Sequence, residues 1–333
     1  MRKDAPILTF PREYTREGTG IPNSLPRLRG RARVGVNKQR GAALIMALLV
    51  VAIVAAIAAT LIAGEQIAIK RTEFTLNADQ ANLDLAYTSP WILARLQQIN
   101  KDFQQNAKMP IWPQTMQTTL TDNSELTIEF SPAGMRFNLN NLAQPVSNYG
   151  FIFMNMLQLA DENIAADQAK TILQNVQKEL FTNKTRPGSA NYIVSPSQLR
   201  LVDGISAKIY QALIPYLIAV PDSNTPININ AAPEFVLTAL LSKDDNAATS
   251  VLDYRRNNGS FANTGLFLGL PSVGPYATAT PYLAQIISAQ AIDKYYLAHI
   301  TISRDHLQYQ WYSILQFVAD SQTITTLYVG SSL

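Results

Sequence analysis

His299 and His306 are the only imidazoles in the chain, and both fall near a predicted hairpin. A metal site built on them would need further ligands at fixed spacing, yet the sequence has no cysteine and no carboxylate cluster beside them, so sheet-facing or surface roles suit them better. Asp161, Glu162 and Asp167 fit the solvated face of a helix rather than an acid/base pair, which would need burial to separate the two pKa values. Asp122, Asn123 and Glu125 sit between two apolar alternations and read as turn chemistry. Neither a G-x-S-x-G elbow nor a phosphate-binding G-x-x-x-x-G-K-S/T loop occurs. Without cysteine there is no thiolate nucleophile and no disulfide framework, so an oxidising compartment is permitted.

From Ala42 to Ala63 run 22 residues with no charge and a single hydroxyl, Thr60. As a helix this reaches about 33 Å, enough for a hydrocarbon core of about 30 Å. Its large side chains, Leu44, Ile45, Met46, Leu48, Leu49, Val50, Ile53, Ile57 and Leu61, are the candidate membrane and assembly residues. Arg27, Arg29, Arg31, Arg33, Lys38 and Arg40 crowd the front of the run, which favours a cytoplasmic N-terminus and exports the bulk of the chain. A cleaved secretory signal would have a shorter apolar core and a small-x-small site, whereas Gly64-Glu65 continues into a helical pattern. A plain signal anchor is the alternative at this point.

The net charge of +3 divides into +7 for residues 1–41 and −4 for the remainder. The exported part is mildly acidic, which argues against an electrostatic grip on nucleic acid. Residues 1–41 are rich in Pro, Gly and Arg without apolar periodicity, a composition that predicts disorder. No methionine lies between Met1 and Met46, and Val36 directly precedes "NKQRG", so translation starting at a valine codon there is an expectation to test.

Beyond the span, Ile67, Phe74, Ala78, Ala81, Leu85, Ile92, Leu93 and Leu96 recur at three- and four-residue intervals, predicting a helix to about Asn100 that Pro90 kinks or interrupts. "TMQTTLTDNSELTIEF" reads as two short strands around Asp122-Asn123-Ser124. Residues 148–290 are helical phrases separated by Pro, Gly and Asn. Ser195-Pro196 is an expected cap, and Asp161-Glu162 an expected first turn. From about Lys294 the alternation of strands returns, carrying Tyr295, Tyr296, Trp311 and Tyr312 as core or interface aromatics. No fixed-period repeat is visible. Strands on both sides of a helical block predict an α+β chain with a helical insertion.

"NKQRGAALIM" resembles a type IV prepilin leader, a basic stretch ending in glycine ahead of a long apolar helix. "RFNLNNL" (136–142), "SPSQLRLVDGISAKIYQALIPYL" (195–217), "TPININAAPEFVLTALL" (225–241) and "DYRRNNGSF" (253–261) then follow in the order seen in the general secretion pathway protein K family, the large minor pseudopilins of type II secretion. The resemblance implies cleavage by prepilin peptidase between Gly41 and Ala42, with Ala42 N-methylated. It also implies a type IV pilin-like fold, with a long N-terminal helix on an antiparallel sheet and a large inserted α-helical domain. On this reading residues 1–41 are the removed leader, 42–64 the membrane half of the helix and 65–104 its periplasmic half. Residues 105–145 and 290–333 form the α/β domain, and 146–289 the insertion.

The implied partners are minor pseudopilins I and J, prepilin peptidase, the bacterial inner membrane and secreted cargo, with no nucleic acid. The fifth residue after the expected cut is Met46, where the family pattern mostly has a glutamate that offsets a neighbour's amine in the bilayer. Such a subunit is poorly suited to repeating along a fibre, and the family's placement at the tip agrees with that.

Family members hold calcium through "W-x-D-x-D" and "G-A-E-D" phrases; the matching stretch here, "LQNVQKELFTNKTRPGSANYIVS", has only Glu179 as an acid. Calcium wants six to eight oxygens, several from carboxylates, so the residues give no metal site and calcium rests on family likeness alone. "ININAAPEFVLTALL" and "LVDGISAKIYQALIPYL" are also similar to helix-hairpin-helix modules. Asp203, Asp222, Asp244 and Asp245 offset Arg200, Lys208 and Lys243, and "ININAAP" lacks the glycine amides a phosphate would need. Two rivals stand beside the pseudopilin: a signal-anchored periplasmic enzyme, which would need a convergent polar cleft, and a DNA-handling competence pseudopilin.

Overall fold

The structure, a computed structural model, describes residues 40–85, 88–106, 109–143, 148–182, 192–304 and 307–330. The leader up to residue 39, the valine at 36, the acid-poor stretch at 183–191 and His306 lie outside the described residues. The chain divides into two units, one ending at Ile67 and the other spanning Ala68–Leu333.

Helix α1 is Arg40–Leu85. Ala42 to Ala63 contains neither Pro nor Gly and is rich in Ala, Leu and Ile, which explains an unbroken helix. The second helix, α2, is Thr88–Asn106. It holds Pro90 and runs beyond Asn100, while residues 86 and 87 ahead of it lie outside the described residues.

Strands β1 (Gln114–Thr119) and β2 (Glu125–Pro132) form the expected hairpin, with Asn123 at φ +64° in the turn. Two residues, Phe137–Asn138, make β3. Helices α3 (Gly150–Ala160), α4 (Ala166–Val176) and α5 (Ala207–Leu213) lead to β4 (Leu217–Ile218), which pairs in parallel with β3. A second copy of that plan follows. Strand β5 (Ile227–Asn228) precedes α6 (Glu234–Leu240), α7 (Asp245–Asn258), α8 (Thr264–Leu268), α9 (Gly274–Ala279) and α10 (Leu283–Ile286). Strand β6 (Ile287–Ser288) then pairs in parallel with β5. Strands β7 (Tyr295–Arg304), β8 (Leu307–Val318) and β9 (Thr323–Gly330) complete an antiparallel sheet in the order β1-β2-β7-β8-β9. The architecture is α+β, with the helical block inserted between two neighbouring strands.

Alternation sets the two faces of this sheet. On one face Leu126, Ile128, Phe130, Tyr296, Ala298, Ile300 and Ile302 meet Ile92, Leu96 and Ile99 of α2, all buried. Full burial of each such α2 side chain is worth roughly 1.5–3 kcal/mol. On the other face Tyr295, Leu297 and Ile314 meet Ile218 and Val220. Tyr295 and Tyr296 are therefore core residues, while Trp311 and Tyr312 are half-buried against these clusters.

Asp161 corrects the sequence reading: it stands at the C-terminal end of α3 instead of opening a helix, and α4 starts only at Ala166. Ser195 caps as expected, accepting from the Ser197 N–H at 3.2 Å with Pro196 at the first position, although the element is a 3-10 helix, Pro196–Leu201.

Candidate assembly surface

Gly41 and Ala42, the expected processing pair, are consecutive residues of α1. Behind them Leu44, Ile45, Met46, Leu48, Leu49, Val50, Ile53, Ile57 and Leu61 are between 50% and 68% exposed. Water does not tolerate such a surface, whereas lipid or a second helix would. The Thr60 hydroxyl donates to the Ile57 carbonyl at 2.7 Å, so even the lone polar side chain is satisfied within the helix, as a bilayer requires.

In the second unit, the C-terminal end of α1 is held by a cluster the sequence did not reveal. Arg304, at the end of β7, is 8% exposed; its Nη2 donates to Asp84 at 3.0 Å and also to Asp122 of the β1–β2 turn. The Ser124 hydroxyl and N–H both donate to Asp122, at 2.6 and 3.0 Å. The Ser124 hydroxyl, with Arg304 adding to it, holds the Asp122 carboxyl below the usual carboxylate range. Asp122 is thus turn chemistry, as read, and an ion-pair partner as well. The three charges come from residues 84, 122 and 304, a separation that no local pattern signals.

Two asparagine braces organise the inserted block. Asn140 clasps the backbone of Ile193: the amide donates to Ile193 O at 2.9 Å while the side-chain oxygen accepts from Ile193 N at 2.7 Å. Asn230 clasps Phe261 in the same way, at 2.9 and 2.8 Å. In each case the preceding asparagine, Asn138 or Asn228, accepts from the N–H two residues on, at 3.2 and 3.0 Å. All four are buried. The repeated phrases Asn-Leu-Asn and Asn-Ile-Asn were the available signal; unequal spacing between the later elements hid the duplication.

In the phrase "ININAAPEFVLTALL" the asparagines brace backbone. Lys208 pairs with Asp161 at 3.2 Å, Lys243 donates to Gln158 at 2.9 Å, and the Arg200 guanidinium lies 5.6 Å from the Tyr210 ring centre. His299 stacks on Tyr312 at 4.6 Å on the sheet. Among the described residues no three His, Cys, Asp or Glu side chains gather at a metal-holding distance. A cleft of about 570 Å³ is lined by residues such as Asn100, Gln104, Asn263 and Gln290, and among the described residues no acid or base lines it.

No family model matches the chain. It is similar to type II secretion system protein K of Pseudomonas aeruginosa, 27% identical over 75% of this chain and 84% of the relative. Protein K of Klebsiella pneumoniae is 25% identical over 84% of this chain and 93% of the relative. Protein K of Pectobacterium carotovorum is 28% identical over 60% and 68%. By fold the chain resembles a chain of the GspK-GspI-GspJ complex of the enterotoxigenic Escherichia coli type 2 secretion system, with a TM-score of 0.61, 19% identity, and coverage of 78% of this chain and 98% of that one. Several type II secretion system K proteins are thus matched over most of their length, and the chain is similar in fold to the solved complex chain.

Proposed function

We propose that the chain is a minor pseudopilin of the type II secretion system that assembles with minor pseudopilins I and J and caps the pseudopilus tip in support of export of folded periplasmic proteins. Its part is structural, without a catalytic site. Residues 42–63 anchor it as a single-pass helix in the bacterial inner membrane, with the N-terminus cytoplasmic and the bulk periplasmic. Prepilin peptidase cuts between Gly41 and Ala42, and Ala42 is then methylated.

The observation that supports this reading is the uncharged run Ala42–Ala63 of α1, whose large side chains are exposed, directly after the expected cut and in a chain similar in fold to a solved protein K. Two features favour the tip over the shaft. Met46 stands where a carboxylate would meet the amine of a subunit above, an amine that is costly to leave unpaired in lipid. Residues Ala133 to Lys294, interposed between β2 and β7, add bulk that crowds a stack at the rise of a helical fibre.

N-terminal sequencing of the membrane-extracted protein, with and without prepilin peptidase, tests processing, and co-isolation of I- and J-like partners tests assembly. The expected result is Ala42 as first residue only when the peptidase is present, with both partners retained. An intact leader in its presence, or retention of DNA in place of the partners at physiological salt, would overturn the proposal.

A further inference from the structure

Three adjoining hollows of the second unit, of about 570, 480 and 240 Å³, share Asn100 and Ile292 in their walls. They run between the C-terminal half of α2, the segment 287–294 and the turn from β8 to β9. Carboxamides dominate the lining. Gln97, Asn100 and Gln104 lie within about 60° of one another on α2, and Gln290 and Gln316 line the other walls. Among the described residues none of these five side chains has a hydrogen-bond partner.

A carboxamide donates and accepts at once, which suits a neutral ligand rich in hydroxyls and amides. Charges keep to the margins: Lys101, Asp293 and Lys294 line only the two smaller hollows, and Lys294 is paired with Asp222 at 2.8 Å. The largest hollow adds small apolar walls. Ala262, Ala284, Ala291 and Ile292 leave room for a methyl group, and half-buried Phe103 gives a sugar ring an aromatic surface to lie against.

An extended peptide fits this lining less well. The carbonyls of Ser288, Ala289 and Gln290 already accept from the Ile229 N–H and from the Asn230 and Asn228 amides, at 2.9, 3.2 and 3.0 Å. That backbone therefore lacks the alternating free donors and acceptors that an added strand uses.

We propose that the cleft binds an uncharged oligosaccharide of N-acetylated hexosamines, with an acetamido methyl against the alanines and the hydroxyls and amides on the carboxamides. Cell-wall glycan and free oligosaccharide share this chemistry, and the site is independent of the pseudopilin role.

The full-length protein in detergent is titrated with chitotriose, the trimer of N-acetylglucosamine, and followed by calorimetry and by exchange protection of the Ala291 and Ile292 amides. Saturation with a Kd of about 1 mM or below is expected. Maltotriose, which has no acetamido group, should bind roughly tenfold more weakly. Ala284→Trp fills the largest hollow from an exposed position, so it should weaken chitotriose more than about tenfold with an unchanged melting temperature. Asn100→Ala and Gln290→Ala should each cost about three- to tenfold. Co-sedimentation of the full chain with purified sacculi, lost in Ala284→Trp, would assign cell-wall glycan as the source; chitotriose binding without sedimentation would support the same site with a free oligosaccharide as its ligand. No saturation by chitotriose, equal affinity for maltotriose, full binding by Ala284→Trp, or preference for a blocked uncharged peptide would overturn the proposal.

Discussion

Arg304 and Asp293 are the two residues whose environment makes the sharpest demands. Replacing Arg304 with Met strands Asp84, which is 7% exposed, without its counter-charge; the expected loss is about 3–5 kcal/mol in urea unfolding. Adding Asp84→Leu should return most of it, and a double variant no better than the single would contradict this account of the cluster. Asp293 is half-buried, and desolvation pushes its carboxyl up to about 6 although Asn228 and the Gly134 N–H donate to it at 2.7 and 2.9 Å. Folding disfavours its ionised form. Its contribution is complete below an unfolded value near 4 and fades as pH rises through about 6. Between about pH 4.5 and 7 the unaltered chain should therefore lose stability relative to Asp293→Asn, and parallel stability curves would contradict that. Asp122 acts in the opposite sense, since its lowered pKa gives stability that is present above about 4 and lost as pH falls further. The Asp122-Asn123 turn was legible because turn chemistry is local. Arg304 was not, because its partners lie 220 and 182 residues away in sequence.

At the scale of elements, the long strands announced themselves through alternation, as in Leu126, Ile128 and Phe130. The strands β3 to β6 have two residues each, too short for any period to register, and their parallel pairing depends on the asparagine braces. Asn230→Ala would leave Phe261 N–H and O and the Ala289 carbonyl without this partner in a dry interior. A loss of about 3 kcal/mol is expected from the broken bonds and stranded groups, measured by thermal or urea unfolding, while a change under about 0.5 kcal/mol would refute the brace. Pro90, read as a kink or interruption, falls within α2, and residues 86 and 87 just ahead of it lie outside the described residues.

The chain carries two parts of different character, a bare apolar helical run up to Ala63 and an α+β body with a helical block between β2 and β7. Hydropathy alone exposed the first, and strands on both sides of a helical stretch exposed the second. The arrangement of that block into two similar halves appeared only in three dimensions. Placement at one end of the filament is the central proposal, and Met46 and the bulk of the insertion support it. Gold labelling of the full-length protein on pseudopili drawn out from cells tests it most directly. The account predicts label confined to a single end of each filament, and label spaced regularly along the shaft would contradict it.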